Sequence, residues 1–336
     1  MSIGPGLSSE IAMMTTEGAP AAASGGKVKP GRSPSRIAFE RLRADKVAVV
    51  SFVAVLFFVV IAVSAPLLAG LSGQSPTHVD TDLVDPYGYP TIGFTSEHWF
   101  GVEPRLGRDL FARWVYGARP SLIVAFISAS ITTVIGTVAG LTAGFLGGVV
   151  DRAISWFIDF VLALPFLLFV LAAVPIATSW FGRPESMDAE QISQVRMWIL
   201  IGVFALLGWA GLARLVRGEA LSLREREFVQ AAKAIGVPTR RVLFREILPN
   251  LSGPIIVSLT IAIPSYVSAE AGLSLLGAGM IEPTPSWGRT ISEATIFFAV
   301  DPLYLLMPML AVTALVLSLS LLGDAVRDAF DPNTRR

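Results

Sequence analysis

The chain contains no cysteine, and its 336 residues include only two histidines, His78 and His98. The lack of cysteine excludes disulfides, thiolate metal sites and a cysteine nucleophile, and it leaves the redox compartment undetermined. Both histidines fall in one polar segment, which excludes a histidine-based metal cluster or proton relay within the apolar part of the chain. We therefore expect no catalytic residue, no metal and no cofactor.

Charge is also scarce: charged residues make up 15% of the chain, and the formal net charge is zero. Without a basic excess, nothing in the sequence indicates nucleic acid as a partner. Hydrophobic residues make up 53% of the chain, and the mean hydropathy is +0.64, which is too apolar for an ordinary soluble domain. The sequence therefore predicts an integral membrane protein in a lipid bilayer.

Six apolar runs are long enough to cross a hydrocarbon core of about 30 Å, which requires about 20 helical residues. In lipid each backbone N–H and C=O must be satisfied within the protein, and no period-two alternation typical of a barrel is present, so helices are predicted. The expected fold class is an all-α, polytopic membrane protein with six transmembrane helices. The runs lie near residues 47–71, 120–150, 160–181, 197–213, 252–280 and 302–323.

Lysine and arginine are distributed unevenly between the two sides that these spans define. If the N-terminus is cytoplasmic, nineteen of them fall in the four inside segments and five fall in the three outside loops. Because cytoplasmic loops carry an excess of positive charge, both termini and residues 217–250 are predicted to face the cytoplasm.

Three regions are predicted from composition. Residues 1–36, rich in Ser, Gly, Ala and Pro, should be a disordered cytoplasmic tail. Residues 37–118 should hold the first span and an outside loop, residues 72–118, which either contacts another molecule or is merely solvated. The first run is longer than a signal-peptide core and begins late, so an uncleaved span is favoured. Residues 119–332 should hold the other five spans and the cytoplasmic loop, residues 217–250.

A polar, helix-forming segment, residues 227–249, stands between the fourth and fifth apolar runs. Gly236 follows an apolar stripe, where a left-handed helix cap would lie, and Pro238 prevents the same helix from continuing. A second helical piece then carries Arg240 and Arg241. The stripe recurs with helical spacing and consists of Phe228, Ala231, Ala232 and Ile235.

A short amphipathic helix of this kind can insert its apolar stripe into a groove on another protein, with the flanking charges setting the register. It can equally lie on lipid headgroups at the membrane surface. The residue pattern alone leaves both interpretations open.

The segment resembles the cytoplasmic loop signature of permease subunits in binding-protein-dependent ATP-binding-cassette importers. Ala231-Ala232 is followed after three residues by Gly236 and then, at the spacing of the signature, by Leu248-Pro249. Gln230 replaces the acidic residue of the signature, and Glu246 replaces its isoleucine. The resemblance implies that this segment couples the chain to an ATPase through Glu227, Phe228, Gln230, Ala231, Ala232, Lys233, Gly236, Arg240, Arg241, Leu248 and Pro249.

Three further stretches are similar to the oligopeptide, dipeptide and nickel permeases, and within them to the subunit type with an extra N-terminal span. The likeness runs in order and in spacing from about residue 36 to Pro332. The stretches are His98-Trp-Phe-Gly101 with Gly107-Arg-Asp-Leu110 and Tyr116-Gly-Ala-Arg119, then Glu270-Ala-Gly-Leu-Ser-Leu-Leu-Gly277 with Pro285-Ser-Trp-Gly288, and finally Leu321-Leu-Gly-Asp-Ala-Val-Arg-Asp-Ala-Phe-Asp-Pro332.

The resemblance implies the permease fold of a type I importer in a bacterial or archaeal inner membrane. It also implies alternating access that moves peptides or related small solutes from an extracytoplasmic binding protein to the cytoplasm. The implied partners are a second permease subunit, two cytoplasmic ATP-binding subunits and the binding protein. The sequence has no Gly-x-x-x-x-Gly-Lys-Ser/Thr phosphate loop, so the chain is not expected to be an enzyme, and ATP hydrolysis is assigned to the partners.

Two other functional classes would require features that the sequence does not show. A secondary transporter or channel not driven by ATP predicts inverted repeats and a midplane cluster of polar residues, and neither is visible. A membrane-embedded hydrolase requires an activated nucleophile, which is not visible either.

A few polar or small residues within the spans also carry expectations. Glu270 interrupts the fifth apolar run and should either line the translocation path or pair helices. Asp159 is expected near the membrane surface, where Arg152 or Arg214 could neutralise it. Glycines spaced four residues apart should permit close helix packing, and these are Gly136, Gly140 and Gly144.

Overall fold

The structure is a computed structural model that describes residues 34–181 and 188–330. Within these ranges the chain forms helices and loops, with two isolated β-bridges and no strand. The predicted tail, residues 1–36, lies outside the described residues except for its last three, which begin the first helix. The helices are α1 (Pro34–Ala44), α2 (Lys46–Ser72), α3 (Leu110–Leu146), α4 (Gly148–Ala163), α5 (Phe166–Trp180), α6 (Ala189–Arg224), α7 (Glu227–Ala234), α8 (Thr239–Val242), α9 (Leu248–Asn250), α10 (Ser252–Leu275), α11 (Trp287–Ala294) and α12 (Pro302–Phe330).

Five of these helices, α2, α3, α6, α10 and α12, are long and apolar enough to cross a membrane. The bent pair formed by α4 and α5 makes a sixth crossing if it is counted as one span. The predicted all-α membrane architecture is therefore confirmed.

The third predicted span, residues 160–181, is not one continuous helix. α4 and α5 meet at an angle of 87°. Pro165 has no N–H to donate, and its ring disfavours helical geometry at the residue before it, so Leu164 adopts an extended ψ of 129°. A run of constant hydropathy does not reveal this change of direction.

The second span begins at Leu110, about ten residues before its predicted start. Asp109 caps the helix, since its Oδ1 accepts a hydrogen bond from the Ala112 N–H at 2.6 Å. Arg113 in the first turns lies 3.0 Å from a carboxylate oxygen of Glu103, so its charge is balanced and these polar turns remain helical. α3 is consequently 37 residues long, or about 55 Å at 1.5 Å per residue.

Close packing of α3 against α6 is the centre of the fold. A Cβ on Gly136, Gly140 or Gly144 would lie 2.5 to 2.8 Å from a backbone carbonyl oxygen of α6. Only glycine lets the two backbones approach this closely, so the predicted role of the three residues in packing is confirmed. The contact continues to the end of α6 from which the polar segment departs.

Candidate functional site

Helix α7 ends in a left-handed glycine, as the sequence predicts. Gly236 has a φ of 78°, and no atom lies within 4 Å of the position that a Cβ would take. The Val237 N–H donates to the Ala232 carbonyl at 3.0 Å, and the Gly236 N–H donates to the Lys233 carbonyl at 3.0 Å. These two bonds form a Schellman cap, which turns the chain sharply into α8.

A small apolar core holds the segment 227–250, which we call the coupling loop, against α3 and α6. Val229 of α7, Val242 of α8 and Ile247 are fully buried. They pack with Leu141 and Phe145 near the end of α3 and with residues of the last turns of α6. Because burying one such side chain contributes about 1.5 to 3 kcal/mol, the position of the loop is tied to these two helices.

The opposite face of the coupling loop is apolar and exposed. Phe228 is 43% exposed, Ile235 is 81% exposed, and Phe244, in a π-helical turn (Leu243–Ile247), is 60% exposed. Ala231 is exposed as well, whereas Ala232 turns partly inward and packs on the small core. Most of the predicted stripe therefore points away from the rest of the chain.

The loop also exposes charge. Glu227, Arg240 and Arg241 are exposed, and none of them makes an ion pair with a residue that the structure describes. The Lys233 Nζ lies 4.8 Å from the centroid of the Phe145 ring, which adds a cation–π contact between the loop and α3.

The departure from the family signature at Gln230 has a local structural reason. The Gln230 Nε2 donates to the Arg224 carbonyl at 3.0 Å, and Arg224 is the last residue of α6. Because carbonyls at a helix end lack partners within the helix, this bond caps α6. A glutamate could not donate it. At the far end of the loop, Leu248 is partly buried against the small core, and Pro249 is exposed.

Two ion pairs join α4 to α6 close to the loop. The Arg214 Nη2 lies 2.6 Å from the Asp159 Oδ1. Of the two arginines predicted as candidates, Arg152 and Arg214, it is therefore Arg214 that pairs with Asp159. The Arg217 Nη2 donates to the Asp151 Oδ2 at 2.9 Å, a pair that the sequence analysis missed. The two ion pairs therefore link α4 to α6 near the loop.

Glu270 is completely buried in α10. Its carboxyl group accepts hydrogen bonds from the hydroxyls of Ser121 at 2.6 Å, Ser274 at 2.8 Å and Ser286 at 3.0 Å. Ser121 belongs to α3, and Ser286 immediately precedes α11. Of the two predicted roles, this geometry favours helix pairing, because Ser121 and Ser286 join α10 to two other parts of the chain.

The end of α3 away from the coupling loop carries a buried ionic cluster that the sequence analysis did not identify. Glu103, Arg108 and Arg113 are almost fully buried. Glu103 lies between the two arginines, with Arg108 donating to its Oε1 and the Arg113 Nε at 3.0 Å from its Oε2, although these two atoms are not aligned as a hydrogen bond. Burial raises the pKa of Glu103 above its ordinary value, against the effect of both arginines.

Glu282, from the loop between α10 and α11, joins this cluster. Its carboxylate contacts the Arg108 Nη1 at 2.8 Å and the Arg113 Nη2 at 3.0 Å. Burial acts to raise the pKa of Glu282, but Arg113 and Arg108 outweigh it, so the pKa lies below its ordinary value. The partners are separated by about 170 positions in the sequence, which explains why no local pattern revealed them. Among the described residues, no group of three or more His, Asp or Glu could hold a metal ion.

The sequence is similar to known membrane transport proteins. Residues 136–336 match the family of binding-protein-dependent transport system inner membrane components, and residues 33–89 match the N-terminal transmembrane domain of oligopeptide transport permease C. The dipeptide transport system permease protein DppC of Alkalihalophilus pseudofirmus is 37% identical over 303 residues, which cover 90% of this chain and 91% of that protein. The oligopeptide transport system permease protein OppC of Haemophilus influenzae is 34% identical over 305 residues, with coverages of 91% and 90%.

A solved structure is similar in fold. A chain of the MetNI methionine ABC transporter, in an inward-facing conformation, superimposes with a TM-score of 0.51 and 18% sequence identity. The match covers 66% of this chain and 98% of that chain.

Proposed function

The chain belongs to the family of binding-protein-dependent transport system inner membrane components, and we propose that it is a permease subunit that moves peptides inward when ATPase subunits act on its coupling loop. The observation that carries this proposal is the two-faced loop. One face is packed on α3 and α6, and the other is apolar, exposed and flanked by charges. A helix that is held in place on one side and exposes an apolar face on the other is suited to bind in a groove on a partner protein.

The connections of the loop allow it to transmit motion. α6 runs for 36 residues directly into the loop, and the loop continues into α10, which carries Glu270. The three glycines hold α3 against α6, and two ion pairs hold α4. A displacement of the loop by the ATPase subunits therefore moves several spans as one unit, from an inward-open to an outward-open state. Nucleotide binding supplies the free-energy difference between the two states.

The same features indicate which functions belong to partner subunits. ATP is bound and hydrolysed by partner subunits, because this sequence contains no phosphate loop. A second permease completes the membrane unit, and a binding protein delivers the solute on the side opposite the coupling loop. Both termini are cytoplasmic, which is supported by the positive charge near them and by the contact of Arg41 in α1 with the Ala329 carbonyl near the end of α12, at 3.4 Å.

Peptides are the proposed cargo because the similar proteins are dipeptide and oligopeptide permeases. Glu270 is assigned to helix pairing, since its carboxyl group is occupied by three hydroxyls of this chain. The residues proposed to contact the ATPase are exposed residues of the loop, namely Glu227, Phe228, Ala231, Lys233, Arg240 and Arg241.

Charge reversal on the loop tests the proposal. In a preparation coexpressed with the second permease and the ATPase subunits, the double variant Arg240→Glu, Arg241→Glu should lose at least about tenfold of the copurifying ATPase, because two charges at a partner surface set both affinity and register. The matched control is Arg152→Glu, which reverses an exposed arginine on α4 outside the loop. Undiminished copurification of the double variant, or peptide uptake that survives ATP depletion with the ion gradient intact, would refute the proposal.

A further inference from the structure

Arg119 lies within α3, and its guanidinium contacts the backbone of α2. The Nε donates to the Ala62 carbonyl at 2.6 Å, and the Nη2 donates to the Val63 carbonyl at 3.2 Å. Pro66 explains the first contact: it lies inside α2 and has no N–H, so the carbonyl four residues earlier, that of Ala62, has no partner within the helix. Arg119 supplies the missing donor.

Within the described ranges, the positive charge of Arg119 has no acidic partner. Besides the two carbonyls, the guanidinium carbon has the Tyr116 ring 5.0 Å away. The Nη1 makes no hydrogen bond to the described part of the chain. A charged group within a membrane span is costly unless it finds a counter-charge, so an anionic ligand at the Nη1 would stabilise this contact.

A groove of about 690 Å³ between α2 and α3 begins at Arg119. From Arg119 it follows Leu122, Ile123 and Phe126 along α3, towards the end that bears the coupling loop, and its other wall includes Val59 of α2. Apart from the arginine, these lining side chains are apolar. The groove therefore has a cationic end and a hydrocarbon-like remainder, as a single phospholipid requires.

The neighbouring surface indicates lipid as the occupant. On α2, Val60, Val63 and Leu67 are 54%, 73% and 74% exposed, so this helix presents a continuous apolar surface beside the groove. Ala62 lies about 15 Å from the end of α2 at Ser72, at 1.5 Å per residue. An arginine at this depth extends its charged head towards the membrane surface, where the phosphates of lipids lie.

From this arrangement we propose that Arg119 and the groove between α2 and α3 bind one anionic phospholipid, in the leaflet opposite the coupling loop. The lipid phosphate accepts hydrogen bonds from the free edge of the guanidinium, and an acyl chain occupies the apolar part of the groove. The bound lipid thereby compensates the charge that also holds α2 at Pro66.

Native mass spectrometry of the purified complex with its partner subunits tests this site. Phosphatidylglycerol and phosphatidylcholine are added in separate titrations, and retained lipid is counted for the wild type and for Arg119→Gln. The wild type should retain one more phosphatidylglycerol molecule than the variant. It should retain phosphatidylglycerol at about tenfold lower lipid concentration than it needs to retain phosphatidylcholine. Arg152→Gln, which removes an exposed arginine elsewhere, should retain the same number as the wild type.

A second variant addresses the apolar part independently. Ile123→Trp leaves the arginine intact but fills the groove, and it should also lose the bound lipid. Glycerol phosphate, which has the headgroup chemistry without acyl chains, should not compete. Equal phosphatidylglycerol retention by the wild type and Arg119→Gln would overturn the proposal, as would retention by Ile123→Trp. If the isolated chain binds the lipid but loses it when the second permease assembles, the second permease and not a lipid occupies the groove in the complex, and the proposal is wrong.

Discussion

Replacing Gly236 by valine should uncouple ATP hydrolysis from transport without preventing membrane insertion. Gly236 has a φ of 78°, and a Cβ there would meet no atom within 4 Å. The perturbation is therefore purely conformational. The left-handed region costs an L-residue about 1 to 2 kcal/mol, and since about 1.4 kcal/mol corresponds to a factor of ten, the capped loop is disfavoured by about 5- to 30-fold. Loss of the cap also breaks the two hydrogen bonds from Val237 and Gly236.

The assay is ATP-driven peptide uptake in proteoliposomes that contain the complete transporter, measured beside the ATPase activity stimulated by the binding protein. The number of peptides taken up per ATP hydrolysed should fall by about 5- to 30-fold, because a loop that has lost its cap no longer holds α7 in the partner groove. Thermal unfolding should change little, since the helices that carry the core are not altered.

Two variants separate the proposed cause from a general effect of mutation. Gly236→Asn should retain most of the activity, because asparagine tolerates the left-handed region better than other residues with a side chain. Gly73→Val imposes the same strain in the same open surroundings, since Gly73 has a φ of 71° and no neighbour within 4 Å, but it lies at the end of α2 outside the coupling loop. If Gly236→Val keeps normal coupling, or if Gly73→Val uncouples equally, the reasoning is wrong.

The remaining predictions concern packing, the buried carboxyl group and the ionic cluster. Gly140→Val should destabilise the protein by about 1 to 3 kcal/mol by forcing α3 away from α6. Gly211→Ala, in open space on α6, should not lower the Tm. Equal Tm values for Gly140→Val and the wild type would contradict the close packing of α3 against α6. Glu270→Ala should lower the free energy of unfolding by about 2 to 4 kcal/mol, because three hydroxyls lose their acceptor. Glu270→Gln should lower it less. Normal stability with abolished uptake in the alanine variant would assign Glu270 to the translocation path. The pKa of Glu282 is lowered below 4.5, so its ion pairs stabilise the folded state above that pH and lose this effect as the pH falls through the lowered value. The Tm difference between wild type and Glu282→Gln should therefore vanish in acid, and a difference independent of pH would refute the assignment.

Features with a local cause were predictable from the sequence. The long helices follow from apolar runs that must satisfy their own backbone in lipid, and five of the six predicted spans each correspond to one long helix in the structure. The left-handed cap at Gly236 follows from a stripe that ends at glycine before a proline. The spacing of Gly136, Gly140 and Gly144 indicated a close helix contact, although it did not identify α6 as the partner.

Features that depend on chain segments far apart were not predictable. Hydropathy did not reveal the bend at Pro165 either, although its cause is local, because residues 160–164 and 166–181 form one apolar run. The count of charged residues placed Arg108 and Arg113 in an outside loop, but it could not show that Glu103 and Glu282 bury and neutralise them.

The sequence by itself determined that the chain crosses a membrane, that residues 227–249 form a capped helical turn, and which family the chain resembles, because each of these depends on composition or on spacing within a few turns. Only the tertiary structure decided which face of the coupling loop is buried, that Glu270 joins three parts of the fold, and that Arg119 supplies the donor missing at Pro66. The contacts of Glu270 with Ser121 and of Arg119 with Ala62 join groups more than fifty positions apart, and their free energy arises only when helix packing removes both groups from solvent or lipid and leaves each as the other's partner.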